Sequence, residues 1–402
     1  MYKILSLDGG GSWAILQLLT LKERYKDELP ELKGHFILQK FDMVIANSGG
    51  SIVLAALCAN WTIDEALTLF DEKETRESIF SKNTFKETFW PVFITKWFSL
   101  GPKYSSKRKY EAFRKEVFPE LHKIPMNLLP AHIGKNSLKL VVSTFDALNN
   151  RAKFFKSYSS DDDAHEYVPI TKAIHGSSNA PVQYFDFPAK IKADSNIWYY
   201  LWDGALGGFN NPIVAGIIEA FKLGVDMSKV AVISLGNGNK LMSKSQKETF
   251  YKHQSITIKE RSKKWKVWRY KYQFRYFMDT VMNQAKTILF EPPDWANYVA
   301  LIIMSMSKKE NLENRLIRLS PIIHIGESDE DNTITLLNKL YSLDMDLTCD
   351  DDIKIIKNCF DYWKAGKIKN QPIEFNVTRD NVLEYKTGDK YFEEGLNKWK
   401  SL

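Results

Sequence analysis

A serine becomes a useful nucleophile at neutral pH when it is held at an exposed, strained turn, beside a base, with donors for the oxyanion that forms. Three short stretches of this chain each supply one of these needs. Ala46-Asn47-Ser48-Gly49-Gly50 nearly matches the G-x-S-x-G elbow, with Ala for the first Gly and small neighbours that permit a tight change from strand to helix. Asp8-Gly9-Gly10-Gly11 gathers backbone N–H groups at a helix start, which suits an anion. Leu201-Trp202-Asp203-Gly204-Ala205 ends an apolar run in a carboxylate, 155 residues after the serine. Each is a candidate part of one constellation: Ser48 for a nucleophile, Asp203 for a base, and Gly9, Gly10 and Gly11 for an oxyanion loop.

Each stretch also has a plainer use. Ser-Gly-Gly occurs in ordinary loops, and Asp-Gly is a common turn. Gly9, Gly11 and Ala14 satisfy G-x-G-x-x-A, the dinucleotide pattern, although Asp8 would then aim a carboxylate at a pyrophosphate and no second strand ending in an acid follows about twenty residues on. A Ser-His-Asp triad would draw on His175, whose place before the aspartate breaks the usual chain order. An aspartate is a weak base for a serine, and burial beside Trp202 would raise its pKa toward the task.

The elements that must position these residues alternate. "YKILSL" runs into the glycines and then into the helical "SWAILQLLTLKERY"; residues 41 to 60 repeat the strand, turn and helix, as do segments starting at Leu138, Asn196 and Lys229. Short buried strands alternating with helices predict an α/β fold with a largely parallel central sheet flanked by helices and a site beyond the strand C-terminal ends. After about residue 240 the pattern turns mainly helical, an extension of one large fold. Between the blocks, Phe85, Phe89, Phe93 and Trp97 recur every four residues, with Trp90 and Phe98 adding bulk, a helix face or a lid over an acyl channel.

With 402 residues, 44% of them hydrophobic, the chain is long enough to bury a sizeable core. No run reaches the roughly 18 apolar residues of a membrane span. Cys58, Cys349 and Cys359 fit neither a disulfide framework nor a zinc spacing, so reduced thiols in a cytoplasmic protein are expected, with no metal and no cofactor. The net charge of +7 is concentrated in residues 259 to 275, where eight Lys or Arg meet one Glu. Within it, Lys263, Lys264, Trp265, Lys266, Trp268, Arg269 and Lys271 mix cations with aromatics, as a peripheral contact with anionic lipid would require. A solvated helix face accounts for the same residues, and a single patch without a binding motif makes nucleic acid a minor option.

The order of these elements resembles the patatin-like phospholipase family, whose pattern is DGGGxRG, then G-x-S-x-G some forty residues later, then DGG or DGA. Here those positions are Asp8 to Ala14, Ala46 to Gly50 and Asp203 to Ala205. "SSNAPVQYF", "FNNP" and "ISLGNGN" look like three further family segments. Trp13 stands where the family has Arg, and Ala14 where it has Gly. The resemblance implies a three-layer patatin-like fold, with a catalytic domain over residues 4–216 and a mainly helical completion of the fold over 217–402. It implies a lipid acyl hydrolase of phospholipase A type, working through a Ser48–Asp203 dyad and an acyl-enzyme without metal. Loss of the Arg charge at Trp13 keeps an alternative open, a catalytically weakened relative that binds lipid or a protein partner.

Overall fold

Buried, largely apolar runs form the central strands β1 (Tyr2–Leu7), β2 (Met43–Ala46), β3 (Lys139–Asp146), β7 (Val230–Leu235) and β9 (Leu316–Leu319); the others are β4 (Arg151–Lys156), β5 (Ala189–Lys192), β6 (Trp198–Asp203), β8 (Asn239–Lys240), β10 (Ile322–Ile323), β11 (Ile373–Asn376) and β12 (Glu384–Thr387). The computed structural model describes the chain except residues 29–30, 83–101, 159–166, 182–183, 194–196, 242–293, 307–311, 327–329, 347–348 and 377–383. The aromatic row from Phe85 to Phe98 and the basic segment containing Lys263 to Lys271 lie outside the described residues.

The main sheet has eight strands in the order β5-β6-β3-β2-β1-β7-β9, with β4 also paired to β3. Its middle is parallel, β3-β2-β1-β7-β9, and its other side is antiparallel, through β3/β4, β3/β6 and β5/β6. The sheet is therefore mixed, where a largely parallel one was expected. For β4 the connection explains the difference. Only residues 147–150 join β3 to β4, room for a hairpin but not for the dozen or more residues of a parallel crossover. Asn150, with φ 51, takes the left-handed conformation that closes the turn.

Alternation along the central strands divides the core in two. Leu5, Leu7, Val44 and Ala46 face one apolar cluster, which includes helices α1 (Ile15–Tyr25) and α2 (Ser48–Cys58). Ile4, Met43 and Ile45 face the other, which α5 (Ile213–Lys222) and the helix Asp294–Ser305 cover. Two further helices serve the site, α3 (Ser106–Ala112) and α4 (Ile170–Ser177). The helical C-terminal region supplies α6 (Asp331–Ser342), α7 (Asp350–Lys364) and α8 (Phe392–Ser401) to the first layer. In α7, Ile353, Ile356, Cys359, Phe360 and Trp363 form the buried stripe, and three aspartates in its first turn complement the helix N-terminus. The sheet nevertheless continues past residue 240, because β9 pairs with β7. Cys58 and Cys359 are buried, Cys349 is exposed, and all three are free thiols.

Candidate active site

Ser48 stands where β2 turns into α2, with φ 48, a left-handed conformation costing roughly 1–2 kcal/mol for a residue with a β-carbon. Local bonds hold it there. Its amide donates to Ser177 Oγ at 2.8 Å, and its carbonyl accepts from Ser51 Oγ at 2.6 Å. The turn lies so close to the end of β1 that a β-carbon on Gly49 would sit 2.3 Å from the Gly11 carbonyl oxygen, and one on Gly50 2.6 Å from that of Leu7. Glycine is required at both positions by this approach of backbones.

The register of β3 explains how Asp203 arrives beside Ser48. Val141 pairs with Ile45 of β2 and with Lys156 of β4, while Thr144 pairs with Asp203 of β6 and with Lys153 of β4. A strand has two edges, so β2 and β6 share the edge opposite β4 and run toward each other along it. Their ends meet with Ala46 opposite Val142 and Asp203 opposite Thr144. There the Ser48 side chain comes close enough to the Asp203 carboxylate to lower its pKa, and the carboxylate accepts from Asn47 Nδ2 at 3.0 Å and from the Ala205 amide at 2.9 Å. Burial raises the pKa of Asp203; Ser48, the bonds from Ala205 and Asn47, and the charge of Lys109 work against that rise.

Asn47 is the hub that sequence reasoning treated only as part of the turn. Besides holding Asp203, it accepts from Ser143 Oγ at 2.7 Å, so the β2–α2 turn, β3 and β6 are tied at one buried amide. Ser177, which caps the Ser48 amide, was visible in the sequence only as the start of "SSNAPVQYF".

The glycine loop lies against this pair. Gly9 packs on the elbow, where a β-carbon would come within 3.0 Å of Ser48 Cβ, and its amide donates to the Asn210 carbonyl at 2.7 Å. The Ser12 amide is likewise committed, to the Met345 carbonyl at 3.0 Å. Asp8 turns away from the loop into a buried ion pair with Arg318 of β9 at 2.7 Å. Burial still pushes its carboxyl up to about 6, with Arg318 opposing the shift. Since Gly9 has given its amide to Asn210, the first donor a pyrophosphate would need is taken, which argues against the dinucleotide alternative. His175 is buried on α4, its ring tilted against Tyr110 at 5.0 Å, and burial together with the Lys109 charge holds it neutral.

Two cavities flank the loop. One, of about 30 Å³, touches Ser48 and is lined by Ile52, Ile79, Phe80, Phe185 and Lys109. The other, of about 320 Å³, lies across the loop against Gly9, Gly10, Trp13, Asn237, Lys240 and Arg318. Trp13 is buried, donates from Nε1 to the Asp344 carbonyl at 2.9 Å, and carries the Lys240 ammonium 4.7 Å from its ring centroid. A cation thus stands beside the residue that replaces the family Arg. Among the described residues there is no cluster of three or more His, Cys, Asp or Glu able to hold a metal ion.

A family model described as patatin-like phospholipase matches residues 5–217. No curated protein matches the chain. Among solved structures, it is similar to VipD from Legionella pneumophila, at 10% identity and a TM-score of 0.34, over 89% of this chain and 67% of that one. It is also similar to a chain of the complex between full-length SpcU and full-length ExoU from the type III secretion system of Pseudomonas aeruginosa. There the identity is 14% and the TM-score 0.27, over 46% of this chain and 39% of that one.

Proposed function

The chain belongs to the patatin-like phospholipase family, and from that premise we propose that it hydrolyses fatty-acyl esters of membrane lipids, as a phospholipase A-type enzyme with a Ser48–Asp203 dyad. The observation that carries this reading is that the ends of β2 and β6 meet on one edge of β3, which brings Ser48, through its neighbour Asn47, beside the buried Asp203 carboxylate and against the glycine loop. Ser48 Oγ attacks the ester carbonyl as Asp203 takes its proton. The bond to the alcohol then breaks, and Asp203 returns the proton to the departing oxygen. In the second half, water gives its proton to Asp203 and attacks the acyl-enzyme; the fatty acid leaves and the proton returns to Ser48. Of the loop amides, those of Gly10 and Gly11 serve the oxyanion, because the Gly9 amide is bonded to Asn210; Gly9 contributes its lack of a side chain.

A second reading, a catalytically weakened relative that binds lipid or a protein partner, is favoured by one observation. The cavity that the described residues form at Ser48 is small, about 30 Å³. Fluorophosphonate labelling separates the two. The enzyme is expected to be modified at Ser48, with the label lost in Ser48→Ala; folded parent protein that takes no label would leave the binding reading standing.

The same proposal treats residues 4–216 as the catalytic domain and 217–402 as its completion, supported by β7 and β9, which extend the catalytic sheet. No helix among the described residues is long and apolar enough to cross a membrane. Access to lipid then falls to the surface, and the cations and aromatics from Lys263 to Lys271 are proposed as the contact with it. Charge reversal at Lys263, Lys264, Lys266, Arg269 and Lys271 is expected to abolish co-sedimentation with anionic liposomes; unchanged binding would discard this role.

A further inference from the structure

Two buried cations of this protein meet carboxylates, Arg318 with Asp8 and Arg76 with Asp350. Lys109 is enclosed as completely, at 0% exposure, yet no carboxylate ion-pairs with it among the described residues. Its Nζ donates to the His175 carbonyl and to Ser178 Oγ, each at 3.2 Å, and lies 3.9 Å from the centroid of the Phe185 ring. An ammonium taken out of water without a counter-ion is costly. Lys109 lines the small cavity that Ser48 lines. The α4 terminus it grips bonds both halves of the dyad, since Ser177 Oγ receives the Ser48 amide and the Asn179 carbonyl receives the Asp203 amide at 3.1 Å.

We propose that Lys109 is the positioning cation of the site, its charge acting through the protein interior to keep the Asp203 carboxylate ionised and ready to accept the Ser48 proton. The inference rests on the dyad described above. Inside a buried site the interaction of two charges is strong beyond contact distance, so Lys109 needs no direct bond to Asp203 to act on it. The effect is mutual. Burial drives Lys109 well toward its neutral form, and the charges of Asp203 and Asp186 oppose this; burial drives Asp203 toward its protonated form, and Lys109 is among the groups that oppose that. The other charged or titratable groups facing Lys109 are accounted for. Asp186 accepts from the Ser106 and Phe187 amides, His175 is neutral, Asp346 lies at the cavity edge bonded to Lys103, and Tyr184 donates to Asp344. Of the two carboxylates whose charges act on Lys109, Asp203 and Asp186, Asp203 is the one beside Ser48.

A purely structural Lys109 would only tether the end of α4, and the two roles respond differently to pH. The test compares the parent with Lys109→Met, which keeps much of the length and removes the charge, and Lys109→Arg, which keeps the charge. The readouts are Ser48-dependent fluorophosphonate inactivation and p-nitrophenyl octanoate hydrolysis, each measured from pH 5 to 9. Lys109→Met is expected to move the acidic limb up by about one pH unit or more, a loss of about tenfold on the limb that closes at pH 9, with KM unchanged. Lys109→Arg is expected to restore the limb. An unmoved limb, or a loss equal at every pH, overturns the proposal. Should Lys109→Met not fold, Lys109→Gln takes its place. Infrared titration of the Asp203 carboxyl, assigned by its absence in Asp203→Asn, reads the same midpoint without turnover. A midpoint that shifts in a protein whose Ser48 takes no label would keep the Lys109–Asp203 coupling and remove the dyad chemistry; an active enzyme whose midpoint stays put would do the reverse.

Discussion

Asp203→Asn is expected to lower kcat by about 10²- to 10⁴-fold, the range for loss of a positioned general base, with KM little changed and the folded state at least as stable as the parent. The substitution is isosteric, and its amide oxygen can still accept from the Ala205 amide, which now bonds the Asp203 carboxylate at 2.9 Å. What disappears is the capacity to take the Ser48 proton. The acidic limb of the pH–rate profile carries the sign of the argument. Burial raises the Asp203 pKa above the ordinary 3.8, so the parent should lose activity as pH falls through a value higher than a solvated aspartate would give, and the Asn variant should show no such limb. Stability runs the other way. A carboxyl whose pKa is raised on folding favours the folded state at low pH, and that contribution is lost as pH rises from 3.8 through the folded value. Removing the group removes this loss, so the melting temperature at neutral pH should hold or rise while activity falls. Equal losses of activity and melting temperature would mark Asp203 as a scaffold residue and end its assignment as the base.

How much of this site could be read in advance follows from the range over which each residue acts. Ser48, Asp203 and the glycines sit in local strand-turn or turn-helix transitions, and short-range chemistry dictates both their types and their spacing: glycine where backbones touch, an acid where a strand stops. Those transitions were legible, and so was the alternation that predicted layered helices on a sheet. The antiparallel side was not. "RAKFFK" is neither an unbroken apolar run nor a clean alternation, and its pairing in β4 follows from the short turn before it. Nothing local gives Asn47 its role, because what it joins, Ser143 and Asp203, lies 96 and 156 residues away. Lys109 was hidden for a similar reason. In "SKRKYEA" it is one of three cations on a short helix, and nothing local says that the other two remain at the surface while it turns into the core.

Arg318 shows the largest effect of such a distant partner. Its guanidinium, 310 residues beyond Asp8, meets the carboxylate at 2.7 Å, with Ser234 Oγ accepting from it at 2.8 Å, and both charged side chains are almost entirely buried. Arg318→Met is expected to destabilise the protein by about 3–5 kcal/mol at pH 8, because it leaves the Asp8 carboxylate buried without its counter-charge. The pH dependence identifies that cause. Even with Arg318 present, burial pushes the Asp8 carboxyl up to about 6, so its contribution favours folding at low pH and is lost as pH rises from 3.8 through about 6. Without the cation the folded pKa climbs further, and the stability lost on going from acid to pH 8 becomes larger. The deficit of Arg318→Met relative to the parent should accordingly shrink at pH 5, where Asp8 can take a proton, and should be mostly recovered at pH 8 in the double variant Asp8→Asn/Arg318→Met. Urea melts at the two pH values measure this directly; a deficit that does not change with pH, or a double variant no more stable than Arg318→Met, would show that the guanidinium serves packing alone. Asp8 also leads into the Gly9–Gly11 loop, and its own carbonyl accepts from Gln17 Nε2 at 2.9 Å and Asn237 Nδ2 at 2.8 Å. A loop anchored through that residue should lose its register when the anchor loosens, so Arg318→Met is expected to slow fluorophosphonate labelling of Ser48 even at pH 5, where the protein stays folded.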